Sequence, residues 1–285
     1  MPARQPLQLA PRALRVAYGR DVAVRGEAPP ADAGQTVVLQ FARRGTSAWS
    51  QVGSSTIGPD GGFRLVDVPA QSGALRALDT ASGSLTPLVA RSRSGAVAAT
   101  SQPVPIEVQA RLRVRPRSIS VLGGQAILVR GTLLPAVAHR RVSLQGRLAG
   151  SWQTLTGTRT GAGGRFVLRY VTAVAGQGPI RVAFAGDTRN ARATTRVGQI
   201  TVYREAGASW YSDGGNTACG FHAYYGVANR TLPCGTKVAL RYNGRSVTAT
   251  VDDRGPYVGG RDWDLNQNTA AALGFGGVGA VWSSQ

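Results

Sequence analysis

The chain has 285 residues, 42% hydrophobic and 16% charged, so it is long enough for two or three domains and apolar enough to pack cores. Its 38 glycines and 15 prolines follow no collagen-like period and read as tight turns between short strands. The formal charge is +19, carried by arginine except for Lys237, and two cysteines with two histidines and no CxxC spacing make a poor metal site.

No cofactor is expected from this composition. No apolar run approaches the roughly 18 residues that span a membrane. The charge is uneven: residues 204–285 hold seven basic and six acidic side chains, whereas residues 1–203 hold twenty-six and eight. Attraction for polyanions therefore belongs to the N-terminal two-thirds. Anionic wall polymers, anionic lipid surfaces and nucleic acid are the candidate partners, beside a merely solvated surface. Nucleic acid fits worst, because no RNP, helix-turn-helix or zinc pattern accompanies the charge.

Residues 1–12 read as an N-terminal tail. Beyond them the chain repeats itself. Val24-Arg25-Gly26 returns as Val129-Arg130-Gly131, Trp49 as Trp152 and Phe63 as Phe166, at offsets of 105, 103 and 103. A period near 100 residues is that of a duplicated domain rather than a solenoid. Each copy alternates as short strands, such as TVVLQF, FRLVDV, AILVRG, RVSLQG and FVLRYV, split by turn signals PDGG and GAGG. This pattern predicts two β-sandwiches, over residues 13–110 and 111–203. The repeated Trp…Gly-x-Phe order resembles bacterial immunoglobulin-like or fibronectin-like modules. Trp49 and Trp152 are expected in the two cores, with exposed sugar-stacking platforms as the alternative. The tract 81–103 lacks periodicity and reads as a loop-rich end of the first copy, and His139 as a solvent-facing loop residue.

The last segment, 204–285, is the most specific. GASWY (207–211), TACG (217–220), GVANRTLPCGTKVAL (226–240) and VDDRGPYVGGRDWDLNQNTAAALGF (251–275) follow one another in order. These four blocks resemble the RlpA-like (rare lipoprotein A) family, whose fold is a six-stranded double-psi β-barrel shared with expansin and barwin-like domains. The fold class expected for the whole chain is therefore all-β: two tandem sandwiches, then the barrel. KVALRY, SVTATV and VGAVW alternate as strands, and NTAAALG reads as a short helix with Asn268 at its N-cap and Gly274 closing it. Cys219 and Cys234 are close enough in sequence to bridge in an oxidising compartment.

The resemblance implies a lytic transglycosylase acting on peptidoglycan in the cell envelope or outside the cell. The export signal it implies is not visible in MPARQPLQLA and is expected outside this sequence. The family's catalytic Asp of the DRGP motif matches Asp253, followed by Arg254, and the Asp of the DL motif matches Asp264. The family's His is replaced by Asn229, which can hydrogen-bond a sugar but cannot exchange a proton near neutral pH. Its Glu has no match, because Phe221 follows TACG. His222 is a candidate to stand in for the lost proton carrier, or else a rim residue. Tyr211, Tyr224, Tyr225, Tyr257 and Trp263 are aromatic candidates for a sugar groove, with Trp263 expected in the core. Substrate contacts are thus expected from Tyr211, His222, Asn229, Arg254 and Tyr257. The alternatives are a non-catalytic, expansin-like wall-binding or wall-loosening protein and an adhesive surface protein with a vestigial barrel.

Overall fold

The computed structural model describes residues 7–80, 99–115, 118–148, 150–212 and 214–285. Most of the tract 81–103 lies outside the described residues. The described chain is nearly all β, with one short α-helix.

In the first unit β1 (Gln8–Ala10), β3 (Val22–Glu27) and β6 (Gly62–Asp67) form a three-stranded antiparallel sheet in that order. β1 falls within the expected tail; its pairing with β3 and the buried Leu7 tie that stretch to the fold. The second sheet runs β2 (Leu14–Ala17), β8 (Val104–Gln109), β7 (Gly73–Thr80), β4 (Thr36–Arg43), β5 (Trp49–Thr56), parallel only at β2–β8. Alternation explains the burial. Val22, Val24, Phe63 and Leu65 from the first sheet share one apolar cluster with Val37, Leu39, Leu75, Ala77, Ile106 and Val108 from the second.

The second unit repeats this plan strand by strand. β9 (Arg111–Val114), β11 (Ala126–Leu134) and β14 (Arg165–Val171) make the three-stranded sheet. The five-stranded layer is ordered β10 (Ile119–Leu122), β16 (Ala193–Tyr211), β15 (Gly176–Phe184), β12 (Arg141–Leu148), β13 (Ser151–Arg159), again parallel only at its first pair. Even the β-bulge recurs, at Leu39/Gln40 and at Leu144/Gln145. The repeated Gly–Phe pair has a steric cause. Gly26 lies opposite Phe63 and Gly131 opposite Phe166, and a Cβ on either glycine would overlap the ring that covers it.

The repeated tryptophans are not core residues. Trp49 and Trp152 are half-buried, absent from both apolar clusters, and roofed by guanidinium groups: Arg76 at 4.1 Å and Arg181 at 4.2 Å from the ring centroids. Each arginine Nε donates to a glutamine, Gln40 or Gln145, at 2.8 Å. Arg76 and Arg181 alternate with the core residues Leu75, Ala77, Ile180 and Val182, so these rings lie on the faces of the sheets turned from the cores, where a cation covers them. His139 is exposed in a turn, as expected.

The third body begins inside β16. This 19-residue strand leaves the second unit and continues unbroken through GASWY, so the seam expected near residues 203–206 falls within one strand. Its C-terminal half pairs with β20 (Trp263–Asn266) and with β21 (Gly279–Ser283). β20 pairs with β17 (Gly226–Ala228), β17 with β19 (Arg245–Asp253), β19 with β18 (Lys237–Tyr242), and β18 with β21. Six strands thus close a ring of pairings around a core of Val227, Val238, Leu240, Val251, Trp263, Leu265 and Val281. The helix α1 (Gln267–Leu273) covers one end through Ala270 and Leu273.

Candidate functional site

Both DRGP and DL aspartates flank the shortest strand of the ring. Ala228 of β17 is in register with Asp253 on one side and Asp264 on the other. Two strand spacings separate their backbones, about 10 Å. Trp263 and Leu265 are wholly buried, so alternation turns Asp264 away from the core.

Each aspartate has one anchored oxygen. Oδ1 of Asp253 accepts the backbone N–H groups of Ala218 and Arg254, both at 2.8 Å. Oδ1 of Asp264 accepts the Ser209 hydroxyl at 2.8 Å. Among the described residues neither Oδ2 takes a hydrogen bond. Both side chains are partly exposed, so one oxygen of each can face a ligand.

Arg254 does not hold the Asp253 carboxylate with its guanidinium. Its Nη1 donates to the carbonyls of Leu232 at 2.8 Å and Asn229 at 3.1 Å, and Nη2 lies 3.1 Å from Cys234 Sγ. It braces the 229–234 loop instead. Asn229 is likewise committed: Oδ1 accepts from Leu232 and Thr231 N–H, and Nδ2 donates to the Asp262 carbonyl. Its amide shapes the loop at the position where the family carries His. Cys219 and Cys234 are bridged, with Cα atoms 5.8 Å apart, and join that loop to the segment lying on Asp253.

The aromatic residues divide. Tyr257 is 81% exposed and Tyr224 73%, with Tyr225 packed edge-to-face on Tyr224 at 4.9 Å. Phe221 and His222 are also exposed, on the same loop. Tyr211 is only partly exposed, and its hydroxyl is buried. Trp263 belongs to the core, as expected.

Several contributors were not legible beforehand. Ser209 lies inside GASWY, but only the parallel register of β16 with β20 brings it to Asp264. Asp252 is wholly buried, and its Oδ2 accepts the Ala223 N–H at 2.8 Å. It lies so close to Gly226 that a Cβ there would overlap the carboxylate. The helix N-cap is Asn266, not Asn268: its Oδ1 accepts from Thr269 N–H, and its Nδ2 donates to the carbonyls of Ala223 and Tyr224. Asn268 lies two residues later, already inside the helix, which starts at Gln267 directly after β20. Gly274 closes the helix in the left-handed conformation, as expected.

Residues 204–282 match the family model described as lytic transglycolase. A probable endolytic peptidoglycan transglycosylase RlpA of Synechocystis is 39% identical over 112 residues, 35% of each chain. Its counterpart from Aquifex aeolicus is 46% identical over 77 residues, 24% of this chain and 34% of the relative. That from Treponema pallidum is 38% identical over 101 residues, 32% and 31% respectively. The chain spans about a third of the length of these relatives.

Proposed function

Residues 204–282 form an RlpA-like module, and on that premise we propose that the chain works in the cell envelope on peptidoglycan glycan strands, with Asp253 as acid and base. We read the ring as a double-psi β-barrel spanning 204–285 and the two eight-strand units as Ig-like sandwiches spanning 13–110 and 111–203. The closed circuit of pairings and the single core shared by two sheets in each unit support this reading.

The observation that carries the reading is the aspartate pair about Ala228, each with one oxygen anchored and one open. Protonated Asp253 gives its proton to the glycosidic oxygen as the bond from C1 breaks. The resulting carboxylate takes the proton of a hydroxyl on the same sugar, whose oxygen closes on C1 as an anhydro ring. One carboxyl group serves both steps and no water is consumed, unlike ordinary hydrolysis by two carboxylates. Asp264 supplies a second negative charge toward the cationic sugar of the transition state. Tyr224 and Tyr257 offer exposed faces for sugar rings.

Protein incubated with sacculi is expected to release anhydro-muropeptides detectable by mass spectrometry, and Asp253→Asn to abolish that release. A second reading, a wall-binding protein without cleavage, draws on Asn229, whose amide is spent on the loop where the family has a proton carrier. Sacculus binding by the wild type with no soluble product would sink the first reading and favour the second.

A further inference from the structure

The two N-terminal units share a topology but not a charge. Residues 1–110 contain eleven arginines and seven acidic residues, whereas residues 111–203 contain fifteen arginines and one acid, Asp187. A general arginine bias would act on both copies and does not explain the loss of acids from one. Asp187 is itself spent on the buried Arg140, at 2.8 Å.

Five of these fifteen arginines share one face. In the β9–β11–β14 sheet, Leu112, Val129, Leu133, Phe166 and Leu168 fill the core, so Arg111, Arg113, Arg130, Arg165 and Arg169 stand on the outside, all exposed. Arg113, Thr132 and Arg165 are in one row across the three strands. An open depression of about 860 Å³ is lined by Arg111, Arg113, Arg115, Arg130 and Arg165, with no acidic residue. The first unit shows what changed. By strand register, Arg113, Arg165 and Arg169 occupy the places of Gln8, Gly62 and Val66, and Thr132 that of Glu27. Val167 in turn takes the place of Arg64, so on a common scaffold three positive charges were gained and one lost, and a negative one was lost as well.

We propose that the outer face of β9–β11–β14 binds a linear polyol-phosphate polymer of the cell envelope. Guanidinium groups pair with phosphate in a bidentate fork and keep their charge at any physiological pH. Backbones two strands apart are about 10 Å apart and alternate residues about 7 Å apart, so a flexible chain can touch several arginines in succession. This outer face presents no aromatic residue on which bases could stack. The envelope source rests on the function proposed above; the phosphodiester chemistry rests on the face itself.

The test titrates the full chain with a synthetic poly(glycerol phosphate) at several salt concentrations. Wild type is expected to bind with a steep inverse dependence on salt. Arg113→Gln/Arg165→Gln/Arg169→Gln is expected to lose about tenfold in affinity and to show a slope shallower by about two, since each phosphate contact contributes about −0.7 on flexible chains. Arg25→Gln/Arg64→Gln, on the corresponding face of the first unit, should stay within about twofold of wild type. Unchanged affinity in the triple variant, with its melting temperature retained, would overturn the proposal, as would an equal loss in the first-unit variant. Duplex DNA bound as tightly and through the same arginines would overturn the choice of polymer. Cleavage of sacculi stripped of phosphodiester polymers reads the RlpA-like module separately, so failure of that activity is distinguishable from failure of this face.

Discussion

Arg140 is the residue on which the junction of the first two units turns. Its side chain is almost wholly buried, forked onto Asp187 through Nε and Nη2, and bonded to Asn190 Oδ1 at 3.0 Å. Asn190 in turn donates to the Ala70 and Val108 carbonyls of the first unit. Burial pushes the Asp187 carboxyl up, but hydrogen bonds from Arg140 and from the Asn190 and Arg189 N–H groups, with the Arg140 charge, hold it below its ordinary 3.8. A lowered carboxyl stabilises the fold above its unfolded value, and that contribution is lost as pH falls through the folded one. Asp187→Asn leaves a buried guanidinium without its counter-charge and is expected to cost about 3 kcal/mol in urea unfolding near pH 7. The cost should shrink as pH falls below the unfolded value of 3.8 and through the lower folded one, beneath which Asp187 is protonated in both states. The roofing arginines matter less: Arg181→Ala should cost about 1 kcal/mol, measured in the same way.

At the scale of elements, β17 decides the site. Three residues long and between β19 and β20, it separates the aspartates by its own width. Gly226 opens it, and the Asp252 carboxylate fills the space a side chain would need. Gly226→Ala is therefore expected to lower stability by about 3 kcal/mol and to impair sacculus cleavage, since Asp252 adjoins Asp253. The bridge between Cys219 and Cys234 closes a short loop over the same corner. Replacing both by serine should cost about 3 kcal/mol of unfolding free energy by the loop-entropy estimate.

Across the whole molecule, β16 couples the second unit to the ring. Its residues pair with β10 and β15 at one end and with β20 and β21 at the other. Tyr203, at the changeover, lies 6.1 Å from Trp282, and Arg204 is bridged to Asp262 at 3.0 Å. A continuous strand transmits order between the bodies it joins, so the two should unfold together. Inserting a Gly-Ser linker between Tyr203 and Arg204 is expected to split one calorimetric transition into two. A single unaltered transition would show that the coupling lies elsewhere.

The alternation of apolar residues determined the strands by itself, because side chains on a strand face opposite ways every residue. The four motif blocks determined the RlpA-like module, and the internal repeat determined that two similar bodies precede it. Local sequence also marked Asp253, Asp264 and the cysteine pair. Only the tertiary structure placed Ala228 between the two acids, gave Ser209 to Asp264, and bonded Arg254 and Asn229 into the 229–234 loop. It also moved Trp49 and Trp152 from the expected cores to outer strands beneath arginines. Strand register and sheet edges join residues far apart in the chain, and no local pattern carries that pairing. The arginine face has the same origin: its charges are visible one by one in the sequence, but three separated strands bring them to one surface.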